Sequence, residues 1–403
     1  MNYNMKKVLI LGGSLYQVYV IKEALRLGYY VITCDYLPDN PGHNYAHEYH
    51  NVSTTDKEAV LQLAKQLAVD GVVCYASDPA APVAAYVCEQ LGLPTSPYQS
   101  VEILSKKDLF RSFLLENGFN VPQAKGFSSI ESAIAEIDQF QLPVMIKPID
   151  SSGSKGVNKL TKKEQLTEFA EEALSFSRDR KFIIEEFIEK QGSQISGDAF
   201  SVKGELVFWS FANEFYSSNK IKDFVPLGEC WPLSMSQEIE NRLLKDIQRL
   251  ISLLGMNSNA YNIEAIVDKK GDIYILEVGA RSGGSLIPQI IQLATGVNMV
   301  TYVIKAAMGE DCSDLHYVKP TGFWSNYMLH SKETGVFKGF LFDESFKKNN
   351  LVEIVSDIEI GNTVRAFQNA GDALGTIIIK YDSEKEMLDF ISNPEKYVQP
   401  IIQ

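Results

Sequence analysis

The sequence predicts an α/β fold: an N-terminal parallel sheet, a larger α+β region, and a closing α+β module. Three observations carry this. Strand-like and helix-like patterns alternate through the first hundred residues. Half-buried strands dominate residues 143–213, and two apolar strands late in the chain flank a tight polar turn. At 403 residues the chain is too long for one ordinary core and fits about two to four domains.

KVLILG (7–12) is short, apolar and ended by glycine, so it reads as a buried strand. Helical spacing follows over 17–27, then a strand at 30–35, a helix at 57–69, a strand at 71–76 and a helix at 80–91. Strand, helix, strand at these lengths is the pattern of a parallel sheet with crossover helices. Two prolines in LGLPTSP (91–97) break the rhythm and mark a boundary near residue 98. A helix is expected over 107–117, ending at Gly118, and another near 164–176. Strands are expected at 143–148, 181–188, 194–202, 205–213, 261–268 and 272–284, and helices at 238–254 and 286–308. KKGD (269–272) reads as a hairpin turn. The expected division is 1–98, 99–312 and 313–403, with the last part a separate mixed module.

Composition excludes several classes. A net charge of -13 repels a polyanion, so nucleic acid is not an expected partner. The five cysteines are scattered and form no CxxC pair, which fits buried free thiols better than a zinc site. No apolar run approaches the roughly 20 residues a membrane helix needs. The start shows no leader pattern, and the expected compartment is the cytoplasm.

The chemistry concentrates between residues 107 and 281. SSGSKGV (151–157) follows a strand ending near Lys147; glycine and serine expose backbone N–H groups that can wrap phosphate oxygens. A flexible hairpin tip is the plain alternative. KFIIEEFI (181–188) sets two adjacent carboxylates in an apolar strand, one on each side. Glu264 and Glu277 lie in apolar strands joined by the tight turn, and a hairpin brings such strands about 5 Å apart. Facing carboxylates in an apolar setting are costly unless a cation joins them, and magnesium is the natural one. Arg281 is placed to meet a phosphate or a carboxylate.

These residues resemble the ATP-grasp superfamily, in order and over most of the chain: KDLFRSFLLENGFNVP (107–122), VMIKP, the glycine-rich loop, EEFI, and a late E…ExxxR. The resemblance implies a pre-ATP-grasp domain over 1–98. It also implies a two-lobed ATP-grasp domain over 99–312, with a lid at about 120–190, and a closing segment that completes the substrate cavity. It implies a ligase that activates a carboxylate as an acyl phosphate and joins it to an amine, using ATP and one or two magnesium (or manganese) ions. Lys107 and Lys147 would hold phosphates, and Ser151, Gly153, Ser154 and Gly156 would cover them. Glu185 would accept from the adenine amino group, and the backbone of Glu186 and Ile188 would read the rest of that edge. Glu264 and Glu277 would bind the metal. Arg281 would stabilise the transferring phosphate.

Two departures stand out. Gly279 occupies a position where the family often has asparagine, and Gln194 stands where a glutamate is usual, with Asp198 nearby as a substitute. Purine-pathway ligases of the phosphoribosylglycinamide synthetase type, carbamoyl-phosphate-synthase-like enzymes and amino-acid ligases stay open, as does a homodimer. A non-catalytic ATP-binding protein is the rival from another class. A nicotinamide-dependent oxidoreductase is a second: LGGS (11–14) and Asp35 suggest a dinucleotide fingerprint, but the run is GGSLYQ and not GxGxxG. The histidines His43, His47 and His50 have metal-like spacing, but a solvated loop is the plainer reading, with a substrate or metal role as the alternative.

Overall fold

The structure is a computed structural model and describes residues 5–216 and 224–403. β1 (Lys7–Leu11), β2 (Tyr30–Cys34), β3 (Glu48–His50) and β4 (Gly71–Cys74) form a parallel sheet in the order β3-β2-β1-β4. Helices over Val18–Arg26 and Lys57–Leu67 make crossovers, and the helix Ala81–Leu91 follows β4 and packs back on the sheet through Val83 and Val87. Val8, Leu9, Ile10 and Leu11 are all buried, as a strand covered on both faces requires.

A second, antiparallel sheet contains β5 (Ala124–Phe127), β6 (Val144–Pro148), β7 (Asn158–Leu160) and β8 (Phe182–Glu186), in the order β5-β8-β6-β7. Val144, Ile146, Phe182 and Ile184 pack with Ala133, Leu166, Ala170 and Ala173 of the helices Ile130–Glu136 and Leu166–Phe176. Side chains alternate along a strand, so Met145, Lys147 and Glu185 take the opposite face.

From residue 194 the strands are β9 (Gln194–Val202), β10 (Glu205–Tyr216), β11 (Pro226–Trp231), β12 (Asn259–Val267), β13 (Ile273–Gly279), β14 (Phe323–Leu329), β15 (Gly335–Phe342), β16 (Leu351–Val355), β17 (Thr363–Val364), β18 (Gly375–Tyr381) and β19 (Val398–Ile402). Eight form one sheet, in the order β13-β12-β9-β10-β11-β14-β18-β16, while β17, β15 and β19 form a small sheet of their own. The boundary expected at 312/313 therefore falls across a continuous sheet: β11 pairs with β14 through Cys230↔Ser325 and Trp231↔Trp324. Residues after 312 are not a separate module.

Both faces of the large sheet are covered. Leu243, Ile247, Leu250 and Ile251 of the helix Gln237–Leu253 pack on Ile195, Ala199, Ile263 and Ala265. Ser236 caps that helix by accepting from the Ile239 N–H. On the other face Ile287, Ile290 and Ile291 pack on Phe200, Phe208 and Trp231. The single helix expected over 286–308 is two, Ile287–Thr295 and Met299–Ala307, bent by 116° after Gly296 turns to φ +79°. Among the described residues no single helix is long and apolar enough to cross a membrane.

Candidate active site

The turn between β12 and β13 forms as expected: Asp268 accepts at Oδ1 from the N–H groups of Lys270 and Asp272, and Gly271 takes φ +85°. Its register puts Glu264 directly opposite Glu277. Gln194 donates to Glu264 Oε2 at 3.0 Å, and Lys107 Nζ lies 3.2 Å from Glu277 Oε2. The same ammonium donates to the Ser151 carbonyl at 3.1 Å, so it joins the carboxylate pair to the glycine-rich loop. Burial pushes the Glu264 carboxyl well above the ordinary range, and Glu214 and Glu277 push it further. Burial would lower Lys107, but Glu277, Asp78 and Glu264 outweigh it and hold its ammonium above the usual range. Among the described residues no three His, Cys, Asp or Glu side chains converge as a full metal cage. Two facing carboxylates that repel each other fit magnesium, which keeps waters and takes the rest of its oxygens from phosphates.

Lys147 and Glu185 meet on the cleft face of the second sheet, and Arg111 Nε lies 3.0 Å from Glu185 Oε2. Arg111 also donates to the Leu276 carbonyl of β13 at 2.9 Å, tying the second sheet to the large one. Glu185 is 3% exposed; burial would raise its carboxyl, but Arg111 and Lys147 hold it at about 2. The Glu185 carboxylate, which lines the cavity next to it, is thus already paired with two cations, a pairing the sequence did not show. The Glu186 N–H is likewise committed, to the Gln123 carbonyl at 2.9 Å.

Two adjoining cavities run beneath this sheet. One, of about 150 Å³, is lined by Met145, Glu186, Phe187, Ile188 and Leu276. The other, of about 180 Å³, is lined by Lys107, Ser151, Gly153, Ser154, Glu264 and Glu277. Lys147 and Gln194 line both. Gly156 departs from its expected place: a Cβ there would lie 3.0 Å from the Phe176 ring, so it packs against the helix Leu166–Phe176.

Arg281 lines the second cavity but is held from the N-terminal unit, Nε to Asp78 Oδ1 at 2.8 Å and Nη2 to Oδ2 at 2.7 Å. Gly279 leaves room for that pair: a Cβ there would stand 3.0 Å from Asp78 Oδ1 and 3.3 Å from the guanidinium. Asp198 does not substitute for a missing glutamate at the cleft. It is fully buried and accepts from the Gly283 N–H at 2.9 Å and from Asn262 Nδ2 at 3.1 Å, which anchors the loop after Arg281.

Four residues escaped the sequence reading. Arg111 had a signal, a charge on the apolar face that Phe110 and Leu114 share in the helix Lys107–Glu116. Asp78 lies just past the carboxyl end of β4, where open α/β sheets bind ligands. Glu214 and Glu229 oppose each other across β10 and β11, both buried. Burial, with Glu229 beside it, raises Glu214 to about 8; burial raises Glu229 to about 7.

The histidine loop holds itself together. His43 Nδ1 lies 2.9 Å from Thr33 Oγ1, His47 Nδ1 accepts from the Val31 N–H, and His50 pairs with Glu48. A Cβ on Gly13 would sit 2.1 Å from the His43 ring, and Asp35 accepts from Gly13, Leu37 and Asn40. The close approach at this glycine turn thus serves a side chain of the chain itself.

The cleft between the second sheet and the large sheet thus brings together two cations, a glycine-rich loop and a facing carboxylate pair. Residues 140–289 of the chain match the family described as the ATP-grasp domain. Its fold is similar to that of L-amino acid ligase from Bacillus licheniformis, with a TM-score of 0.82 and 22% identity over 99% of each chain. It is also similar to phosphoribosylglycinamide synthetase from Anaerococcus prevotii, with a TM-score of 0.75 and 22% identity over 99% of this chain and 100% of that one. In sequence it is 26% identical to an uncharacterized protein, y4rH, of Sinorhizobium fredii over 66% of this chain. It is 23% identical to the carbamoyl phosphate synthase large chain of a Thermoanaerobacter species over 56% of this chain. The matched parts span 55% and 20% of those two relatives.

Proposed function

We propose that the chain is an ATP- and magnesium-dependent ligase that forms an acyl phosphate from a carboxylate and transfers the acyl group to an amine. The observation that supports this most is the register that sets Glu264 against Glu277 with Lys107 alongside. Glu264 and Glu277 would hold the magnesium, whose chemistry is to neutralise and orient the phosphates of ATP. Lys107 and Lys147 hold phosphate oxygens, and Ser151, Gly153 and Ser154 close over them. Ile188 and Leu276 flank the adenine, in the cavity next to Lys147.

A carboxylate oxygen of the substrate attacks the γ-phosphorus and ADP leaves. The amine then attacks the acyl carbon, loses a proton, and phosphate leaves. The chain positions these groups and excludes water, because the mixed anhydride must not hydrolyse. Glu214 lines the cavity beside Glu264 and would face a cationic group, which favours an amino-acid-like substrate.

ADP release with magnesium against a panel of carboxylates, each with and without pooled amino acids, tests the reading. Turnover that needs one carboxylate–amine pair and disappears in Glu277→Gln supports it. ATP binding without turnover on any pair, or turnover that survives Glu277→Gln, sinks it.

A further inference from the structure

A separate cavity, of about 260 Å³, lies between the end of β14 and β19. It shares no lining residue with the two cavities at the hairpin. Its size is just under the roughly 300 Å³ at which small-molecule sites begin. Tyr327 and His330 are buried in its wall, Val398 and Ile402 add apolar surface, and Lys332 and Glu395 form an ion pair at its mouth.

The groups are those an amino acid needs. His330 Nδ1 lies 2.9 Å from the Met328 carbonyl and must carry the proton there, since a carbonyl only accepts. Burial holds the imidazole below its ordinary range, so the ring is neutral and its Nε2 is an acceptor with no partner among the described residues. Lys332 and Glu395 are 44% and 39% exposed, so exchanging each other for a ligand costs little. A molecule with an ammonium and a carboxylate on one carbon answers both. Its apolar side chain would then lie against Tyr327, Val398 and Ile402.

The wall of this cavity is also one end of a short, stiff segment. The Phe367 ring lies against His330 with centroids 4.7 Å apart, and the Phe367 N–H donates to the Ser331 carbonyl at 2.8 Å. The Asp372 carboxylate accepts from the Gln368 and Asn369 N–H groups at 3.0 and 3.2 Å, which fixes the turn. The Ala370 N–H then donates to the Gly153 carbonyl of the glycine-rich loop at 3.1 Å.

We infer that this cavity is a regulatory site for an apolar amino acid, whose contact with His330 is passed through the Phe367 ring behind it to Ala370 and so repositions the glycine-rich loop. The coupling rests on the reading of residues 151–157 as a lid over ATP, whereas the binding does not. Calorimetry on the full chain without ATP, with L-leucine, L-methionine and L-phenylalanine in turn, tests the binding. Wild type should bind at least one of them, and Glu395→Gln and Lys332→Met should each weaken that binding at least tenfold. Amide exchange at residues 151–157 should slow on addition of that amino acid in wild type and not in the variants. No binding by any of the three, or binding that both variants retain, overturns the site. Binding with unchanged exchange at 151–157 overturns the coupling. ATP binding, followed in the same samples, confirms that the variants are folded and reports separately on the hairpin site.

Discussion

Arg281 and Asp78 meet in a two-point ion pair across the junction of the N-terminal unit and the large sheet. The arginine expected to attend the transferring phosphate is thus aimed by a carboxylate 203 positions earlier in the chain. Arg281→Lys keeps the charge but loses the planar two-point geometry. Loss of one such charge-stabilising donor costs about 100-fold or more in kcat. We expect a fall of that order, with little change in the KM for ATP, measured by ADP release.

Gly279 belongs to the same relationship. Asparagine there would crowd both partners of the ion pair. Gly279→Asn should lower turnover, not restore a missing ligand. Gly279→Ala, which adds only the crowding Cβ, should lower it in the same direction, and ADP release by the two variants checks this.

Arg111 answers to Glu185 inside the protein, where it is 4% exposed. Breaking a buried pair by removing one partner costs about 3–5 kcal/mol. Arg111→Met should fall at the low end, because Lys147 still faces the carboxylate, and adding Glu185→Leu should recover part of the loss. Urea melts of the two single variants and the double variant give the coupling.

Lys147→Ala should weaken ATP binding by roughly 10- to 100-fold, the worth of one hydrogen bond to a charged group at about 1.5–3 kcal/mol. Calorimetry with a non-hydrolysable ATP analogue measures it. Unchanged affinity would remove Lys147 from the phosphate site.

Glu214 gives a pH signature. Its folded-state carboxyl is raised to about 8 from an ordinary value near 4.5. The folded protein therefore binds the extra proton between those values, and stability falls as pH rises through that window. Without nucleotide or magnesium, wild type should melt several degrees lower at pH 8 than at pH 6. Glu214→Gln should flatten that slope.

Much of this was legible in the chain. The parallel sheet followed from apolar runs at βαβ spacing, and the facing of Glu264 and Glu277 followed from two charges in apolar strands around KKGD. Local patterns fix local pairings. What escaped depends on distant pairing: Asp78 with Arg281, Arg111 with Glu185, and β11 with β14. Glu185 was placed on the right strand, but only the structure shows that Lys147 and Arg111 already occupy its carboxylate. Gly156 read as phosphate-covering for the same reason: its neighbours in sequence line the cleft, while its own contact is a helix.

The seam between β11 and β14 has a practical corollary. A fragment stopped at residue 312 would strip β14, β16 and β18 from the sheet and leave β11 with a row of unsatisfied backbone groups. Such a raw border recruits other chains, so the shortened protein should clump on expression. Anyone trimming this protein to an ATP-binding minimum would find no dotted line there along which to cut.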